Sequence, residues 1–101
     1  MLTEDWTQFN EQKVSNVPPV AGLFQFADKS RTTIFIGSSV NLRKELMTQL
    51  MPTDLCLRDA YFYKVSISPE LYQGVKSAFA AFREMNNGRL PRCNKLDYTL
   101  R

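Results

Sequence analysis

The stretch Phe35-Ile36-Gly37-Ser38-Ser39-Val40-Asn41-Leu42-Arg43-Lys44-Glu45-Leu46 decides the fold, and ten residues separate it from an earlier triplet, Gly22-Leu23-Phe24. Residues Val20 to Ala27 and Thr32 to Gly37 are apolar, β-branched or aromatic, with turn-forming Asp28-Lys29-Ser30-Arg31 between them. That pattern predicts a β-hairpin. Ile34, Phe35 and Ile36 form a run without alternation, which suits a strand covered on both faces. A helix is expected from about Ser39 to Leu50. At about 100° per residue, Leu46, Met47 and Leu50 share a face and Arg43 falls among them. An arginine there needs a carboxylate, backbone carbonyls or a bound anion, unless its stem carries the charge to the helix edge.

Outward from this centre the remaining elements follow. Thr3 with Glu4 and Asp5 is a helix start signal, and Trp6 and Phe9 three residues apart predict a short helix over Thr3 to Lys13, stopped by Pro18-Pro19. Pro52 to Asp59 reads as a loop. Ala60 to Ser66, with Tyr61, Tyr63 and Val65 in alternation, reads as a third strand. Ser68-Pro69-Glu70 opens a helix that runs to about Met85, with Leu71, Val75, Ala78, Phe82 and Met85 on its apolar stripe. Asn86-Asn87-Gly88 ends it. The expected fold is α/β of the α+β type: a small three-stranded antiparallel sheet flanked by helices. Residues 20–101 form one globular unit behind a helical extension over residues 1–19, and Phe82 is expected in the core.

With 101 residues, 44% hydrophobic and 23% charged, the chain has the make-up of one ordinary globular domain. It holds no run of about 18 apolar residues and no basic-then-apolar amino terminus, so no membrane partner and a cytoplasmic location are expected. Cys56 and Cys93 sit far apart, in no metal or redox spacing, and are expected as reduced thiols. Histidine is absent, which excludes His-based triads, His metal sites and His general bases. The net charge of +3 is mild, but residues 83–101 gather Arg83, Arg89, Arg92, Lys95 and Arg101 against Glu84 and Asp97. Such a patch is either a solvated surface or a phosphate-contacting one.

The two triplets, and Asn41-Leu42-Arg43 with its arginine six residues after Gly37, resemble the core of the GIY-YIG nuclease family. Pro91-Arg92-Cys93-Asn94 resembles the Pro-x-x-Asn segment after that family's last core helix. The likeness covers roughly residues 20–95 and implies the same order of elements. It further implies a phosphodiesterase site: a divalent metal held by a glutamate on the last core helix, an arginine on the phosphate, two triplet tyrosines near the attacking water, and a histidine or tyrosine on the arginine helix. Placed on that pattern, Arg43 is retained. Phe24 and Phe35 stand where the tyrosines belong, Gln49 stands where the histidine or tyrosine belongs, and counting back from Pro91 puts Phe82 in place of the metal glutamate. Glu84 replaces it only if that register shifts.

Three functions are compatible with this pattern. The first is a GIY-YIG endonuclease-like domain that has lost hydrolysis and binds DNA, RNA or another anion through Arg43, Lys44, Arg89, Arg92 and Lys95, with no cofactor. The second is an active endonuclease using magnesium or manganese on Glu84 or Asp59, with Tyr61 or Tyr63 supplying a hydroxyl. The third is a protein-interaction module presenting Trp6, Phe9 and strand edges.

Overall fold

The computed structural model describes residues 6–94. Thr7–Gln8 forms β1, Glu11–Val14 the one-turn helix α1, Gly22–Ala27 β2, Thr33–Ser39 β3, Leu42–Gln49 α2, Phe62–Ile67 β4 and Leu71–Met85 α3, with a short 3₁₀ turn at Leu55–Asp59. The strands make one antiparallel sheet in the order β1-β4-β2-β3. The mixed α/β class with flanking helices is therefore present, and the sheet has four strands rather than three. No helix among the described residues is long and apolar enough to cross a membrane.

The additional strand replaces an expected helix. Thr7 and Gln8 pair with Tyr63 and Phe62, and Phe9 N donates to Tyr61 O at 2.9 Å. Helix is confined to Glu11–Val14, where Asn10 caps it by accepting from Lys13 N. Strand pairing wins because it gives this backbone partners on β4 while the Phe9 ring packs on Phe26 and Tyr63, at 4.8 and 5.8 Å between centroids. The start signal Thr3-Glu4-Asp5 lies outside the described residues. Val14 and Val17, just beyond β1, are buried in the same core as Phe26 and Leu46.

Register fixes the two sheet faces. Phe24 lies opposite Val65, and Phe26 opposite both Tyr63 and Phe35, so alternation sends these side chains to one face, where α1 and α2 add Val14, Leu42 and Leu46. Leu23 and Ile36 point to the other face and meet α3 through Val75 and Phe79. Glycine at position 74 lets α3 approach closely: a Cβ there would stand 2.7 Å from Leu23 Cδ1. The turn after α3 closes at Gly88, whose φ of +80° favours glycine and whose N–H donates to Arg83 O at 2.8 Å.

Phe82 is half-buried rather than central. Its direction is not the cause, because seven residues bring it back to within about 20° of Val75. Instead a groove of about 450 Å³ opens between the sheet and the C-terminal half of α3, and Phe82 lines it. Val75 and Phe79 take the buried places.

Cys56 and Cys93 are not free thiols: they form a disulfide, with Cα atoms 5.6 Å apart. A sequence separation of 37 carries no local signal for it. The fold creates the pair by laying the segment after α3 beside the 3₁₀ turn. That segment also closes the outer side of β3, with Cys93 N donating to Ile34 O at 2.9 Å. The Asn94 side chain accepts from Ile36 N and donates to Ile36 O, both at 2.9 Å, as a neighbouring strand would. Asn94→Ala is expected to cost about 1–3 kcal/mol through these two lost bonds. Hydrogen exchange at the Ile36 amide should quicken; unchanged exchange with an unchanged urea midpoint would refute the assignment.

Candidate functional site

The rings of Phe24 and Phe35 lie 5.9 Å apart at 32°, with Phe26 beside both at 5.3 and 6.2 Å. Gly37, paired with Phe24 across β2 and β3, makes room for them. A Cβ at that position would fall 2.7 Å from Phe24 Cζ and 2.8 Å from Phe35 Cε2. Phe24 is buried and Phe35 half-buried. The triplet positions thus come together as an all-carbon wall that offers neither proton nor metal ligand.

Arg43 enters from α2. Asn41 caps this helix by accepting from Lys44 N at 3.1 Å, and Ser39 Oγ in turn accepts from Asn41 N at 3.0 Å. Leu42 and Leu46 set the centre of the buried stripe, so Arg43 sits on its shoulder and is exposed. Its Nε donates to Val17 O at 2.7 Å, tying α2 to the segment after α1. Among the described residues its Nη groups meet no hydrogen-bond acceptor. Lys44 is exposed beside it. Gln49 commits its amide to Glu45 Oε2 at 3.0 Å and lines a cavity of about 500 Å³ with Phe9, Met51 and Leu57.

The remaining candidates are dispersed. Phe82 lies across the sheet from Phe24 and Phe35, on the α3 face. Glu84 is exposed, nine residues past Val75 and so about 180° around the helix from it. It is the only carboxylate within Leu71–Met85. Asp59 is held by Arg92 Nη2 at 2.9 Å, with Asp28 Oδ2 at 4.0 Å on the same nitrogen, and Arg92 Nη1 reaches Cys56 Sγ at 3.4 Å. Arg92 thus has protein partners that its place in a basic run did not reveal. Arg89 is exposed, and Lys95 lies outside the described residues. Tyr63 is buried, and burial pushes its phenol above the ordinary range, which keeps it protonated and makes it a poor proton donor. Tyr61 is exposed, with Lys29 Nζ 5.9 Å above its ring.

A divalent cation placed as the family pattern requires needs a carboxylate on α3 turned to the sheet, and no register supplies one. Among the described residues, no group of three or more His, Cys, Asp or Glu comes together. These residues do not fit the metal, and no hydrolytic step through it follows from them.

Comparison with solved structures places the fold. The GIY-YIG N-terminal endonuclease domain of UvrC from Thermotoga maritima, bound to its catalytic magnesium, superposes with a TM-score of 0.58 over 82% of this chain and 92% of that one, at 18% identity. A tyrosine-to-phenylalanine mutant of the same domain, bound to its catalytic divalent cation, gives 0.59 at 18% identity, covering 84% and 93% of the two chains. An asparagine-to-alanine mutant, also cation-bound, gives 0.60 at 17% identity with coverage of 84% and 93%. The fold is that of a GIY-YIG domain. No curated protein matches the sequence. A family model described as a domain of unknown function, DUF7508, matches residues 1–67.

Proposed function

The chain belongs to the DUF7508 family, and from its own geometry we propose that it is a GIY-YIG-fold domain without phosphodiester hydrolysis that binds nucleic acid through Arg43. The carrying observation is the α3 carboxylate inventory: one residue, Glu84, exposed and turned away from the sheet. Loss of the tyrosine hydroxyls is a weaker argument, since the UvrC domain with a tyrosine replaced by phenylalanine is described with its catalytic cation bound. A carboxylate has no comparable substitute. Phe82, at the place the resemblance assigns to the metal glutamate, adds an apolar ring instead.

The binding surface is what remains of the machinery. Arg43 is exposed and donates only its Nε within the fold, and Lys44 adds a second exposed cation on the same turn; Arg89 is exposed beyond α3 as a separate cation. A permanently protonated guanidinium neutralises a phosphate but cannot activate water. Arg92 contributes less than its charge implies, because Asp59 and Asp28 hold it.

The test is incubation of labelled single- and double-stranded DNA and RNA with magnesium or manganese, for the parent and Arg43→Ala. No metal-dependent cleavage is expected. Binding should weaken with salt, and Arg43→Ala should lower the log–log salt slope by about 1, the share of one phosphate contact. Metal-dependent cleavage that vanishes in Arg43→Ala would restore the nuclease.

A further inference from the structure

The two sulfurs of the Cys56–Cys93 disulfide sit in unlike surroundings. Cys93 is 1% exposed and belongs to the hydrophobic core with Phe26 and Tyr63. Cys56 is half-buried, packs on that core from outside and lies early in the 3₁₀ turn, where Asp54 Oδ1 accepts from its N–H at 2.9 Å. The exposed side chain of Arg92 reaches its sulfur, with Nη1 donating to Cys56 Sγ at 3.4 Å.

Arg92 does not depend on the disulfide for its position. Its Nη2 donates to Asp59 Oδ2 at 2.9 Å, and Asp28 Oδ2 lies 4.0 Å away. Asp28 is itself fixed, its Oδ1 accepting from Ser30 N and Thr32 N. The bonds of Cys93 N to Ile34 O and of the Asn94 side chain to Ile36 hold the neighbouring backbone. The guanidinium and both sulfurs therefore stay within reach of one another after reduction.

A guanidinium at that distance stabilises a thiolate, the form of cysteine that reacts with oxidants. The carboxylates of Asp54, Asp59 and Asp28 oppose it. Arg58 and Lys29, which line the adjoining cleft of about 390 Å³ with Arg92, act with it. A reachable sulfur that favours its thiolate, next to a second thiol, is the arrangement from which oxidant-sensing cysteines are built.

We propose that Cys56 is an oxidant-reactive thiol, that Cys93 is its resolving partner, and that hydroperoxides close the bond between them. The Cys56 thiolate attacks one oxygen of the peroxide. The S–O bond forms, the O–O bond breaks, and the departing oxygen takes a proton and leaves as water or an alcohol. Cys56 is then a sulfenic acid, oxidised by two electrons. The Cys93 thiolate attacks Cys56 Sγ; the S–S bond forms, the S–O bond breaks, and the hydroxide leaves with a proton as water. A dithiol reverses the change by exchange and becomes a disulfide itself. Closure fastens the segment Pro91 to Asn94 covalently to the 3₁₀ turn.

The test reduces the full chain with a dithiol below its lowered melting point, removes the reductant and adds hydrogen peroxide. The disulfide should return in the parent. Cys93→Ser should instead accumulate a sulfenic acid on Cys56, captured by a cyclic 1,3-dione and mapped by mass spectrometry. Cys56→Ser should stay largely unreacted, as buried thiols do. The pH midpoint for alkylation of Cys56 in Cys93→Ser should lie at about 7.5 or lower. Adding Arg92→Gln should raise it toward the ordinary value of about 8.5, and adding Arg92→Lys should raise it less. An arginine with a merely structural role would leave that midpoint in place. The midpoint is a cleaner readout than the rate, because a more acidic thiol is also a weaker nucleophile. Should Cys93→Ser fail to fold, competitive labelling of both thiols in the reduced parent replaces it, with Cys56 expected to react first. Capture on Cys93 first, a folded reduced parent that peroxide leaves as two thiols, or a midpoint indifferent to Arg92 would overturn the proposal.

Discussion

Phe79→Ala is expected to lower the unfolding free energy by about 3–5 kcal/mol, and Phe82→Ala by distinctly less. Phe79 is fully buried between Ile36 and Val75, where α3 is drawn close to the sheet at Gly74. Truncating it leaves a void that the helix, already drawn close to the sheet at Gly74, cannot collapse to fill. Phe82 borders a groove that solvent already reaches, so its loss enlarges an open space rather than sealing an empty one. Against a total of about 5–15 kcal/mol for a domain of this size, the first substitution consumes a large share. Equilibrium unfolding in urea measures both. Equal costs at the two positions would return Phe82 to the core and undo the distinction.

Removal of the Cys56–Cys93 disulfide has an effect of similar size. Crosslinking residues 37 apart takes roughly 4 kcal/mol of loop-closure freedom from the unfolded chain in the entropic description. For a domain of about 100 residues, each kcal/mol moves the melting temperature about 4–8 °C. A dithiol reductant should therefore lower it by roughly 15–30 °C, while the Cys56→Ser/Cys93→Ser variant should melt low with or without reductant. A parent insensitive to reductant, with its thiols shown to be reduced, would mean that the unfolded chain is no freer without the bond. Arg92, resting on Cys56 Sγ and paired with Asp59, keeps a weaker link between the two segments after reduction.

What the sequence disclosed and what it withheld follow from the range of the interactions. The hairpin, α2, β4 and α3 rest on local periodicity and on punctuation such as Asp28 to Arg31 and Gly88, so each could be read in place. β1 could not. Two residues become a strand only because β4 lies beside them, and Trp6 and Phe9 at helical spacing pointed the other way. Arg43 seemed central to its stripe because Leu42 was left out of the count; once Leu42 is included the centre moves and the arginine reaches the shoulder. The order of the triplets and of Asn41-Leu42-Arg43 disclosed the fold. The pairing of Arg92 with Asp59 and Asp28 joins residues 33 and 64 positions apart, and cation–π contacts join Trp6 to Lys64 and Arg31 to Phe62. Neither leaves a mark in any short window of sequence.

A sheet with two open sides invites further strands, and β-rich chains aggregate by that route. Here one side ends in β1, a stub of two residues too short to template a neighbour. The other side is β3, seven residues long, whose outward backbone groups at Ile34 and Ile36 are occupied by Cys93 and Asn94. The residues that follow α3 therefore act as a selvage. By finishing the fabric of the sheet within one chain, they deny a second molecule the row of unpaired amides from which a fibre would start.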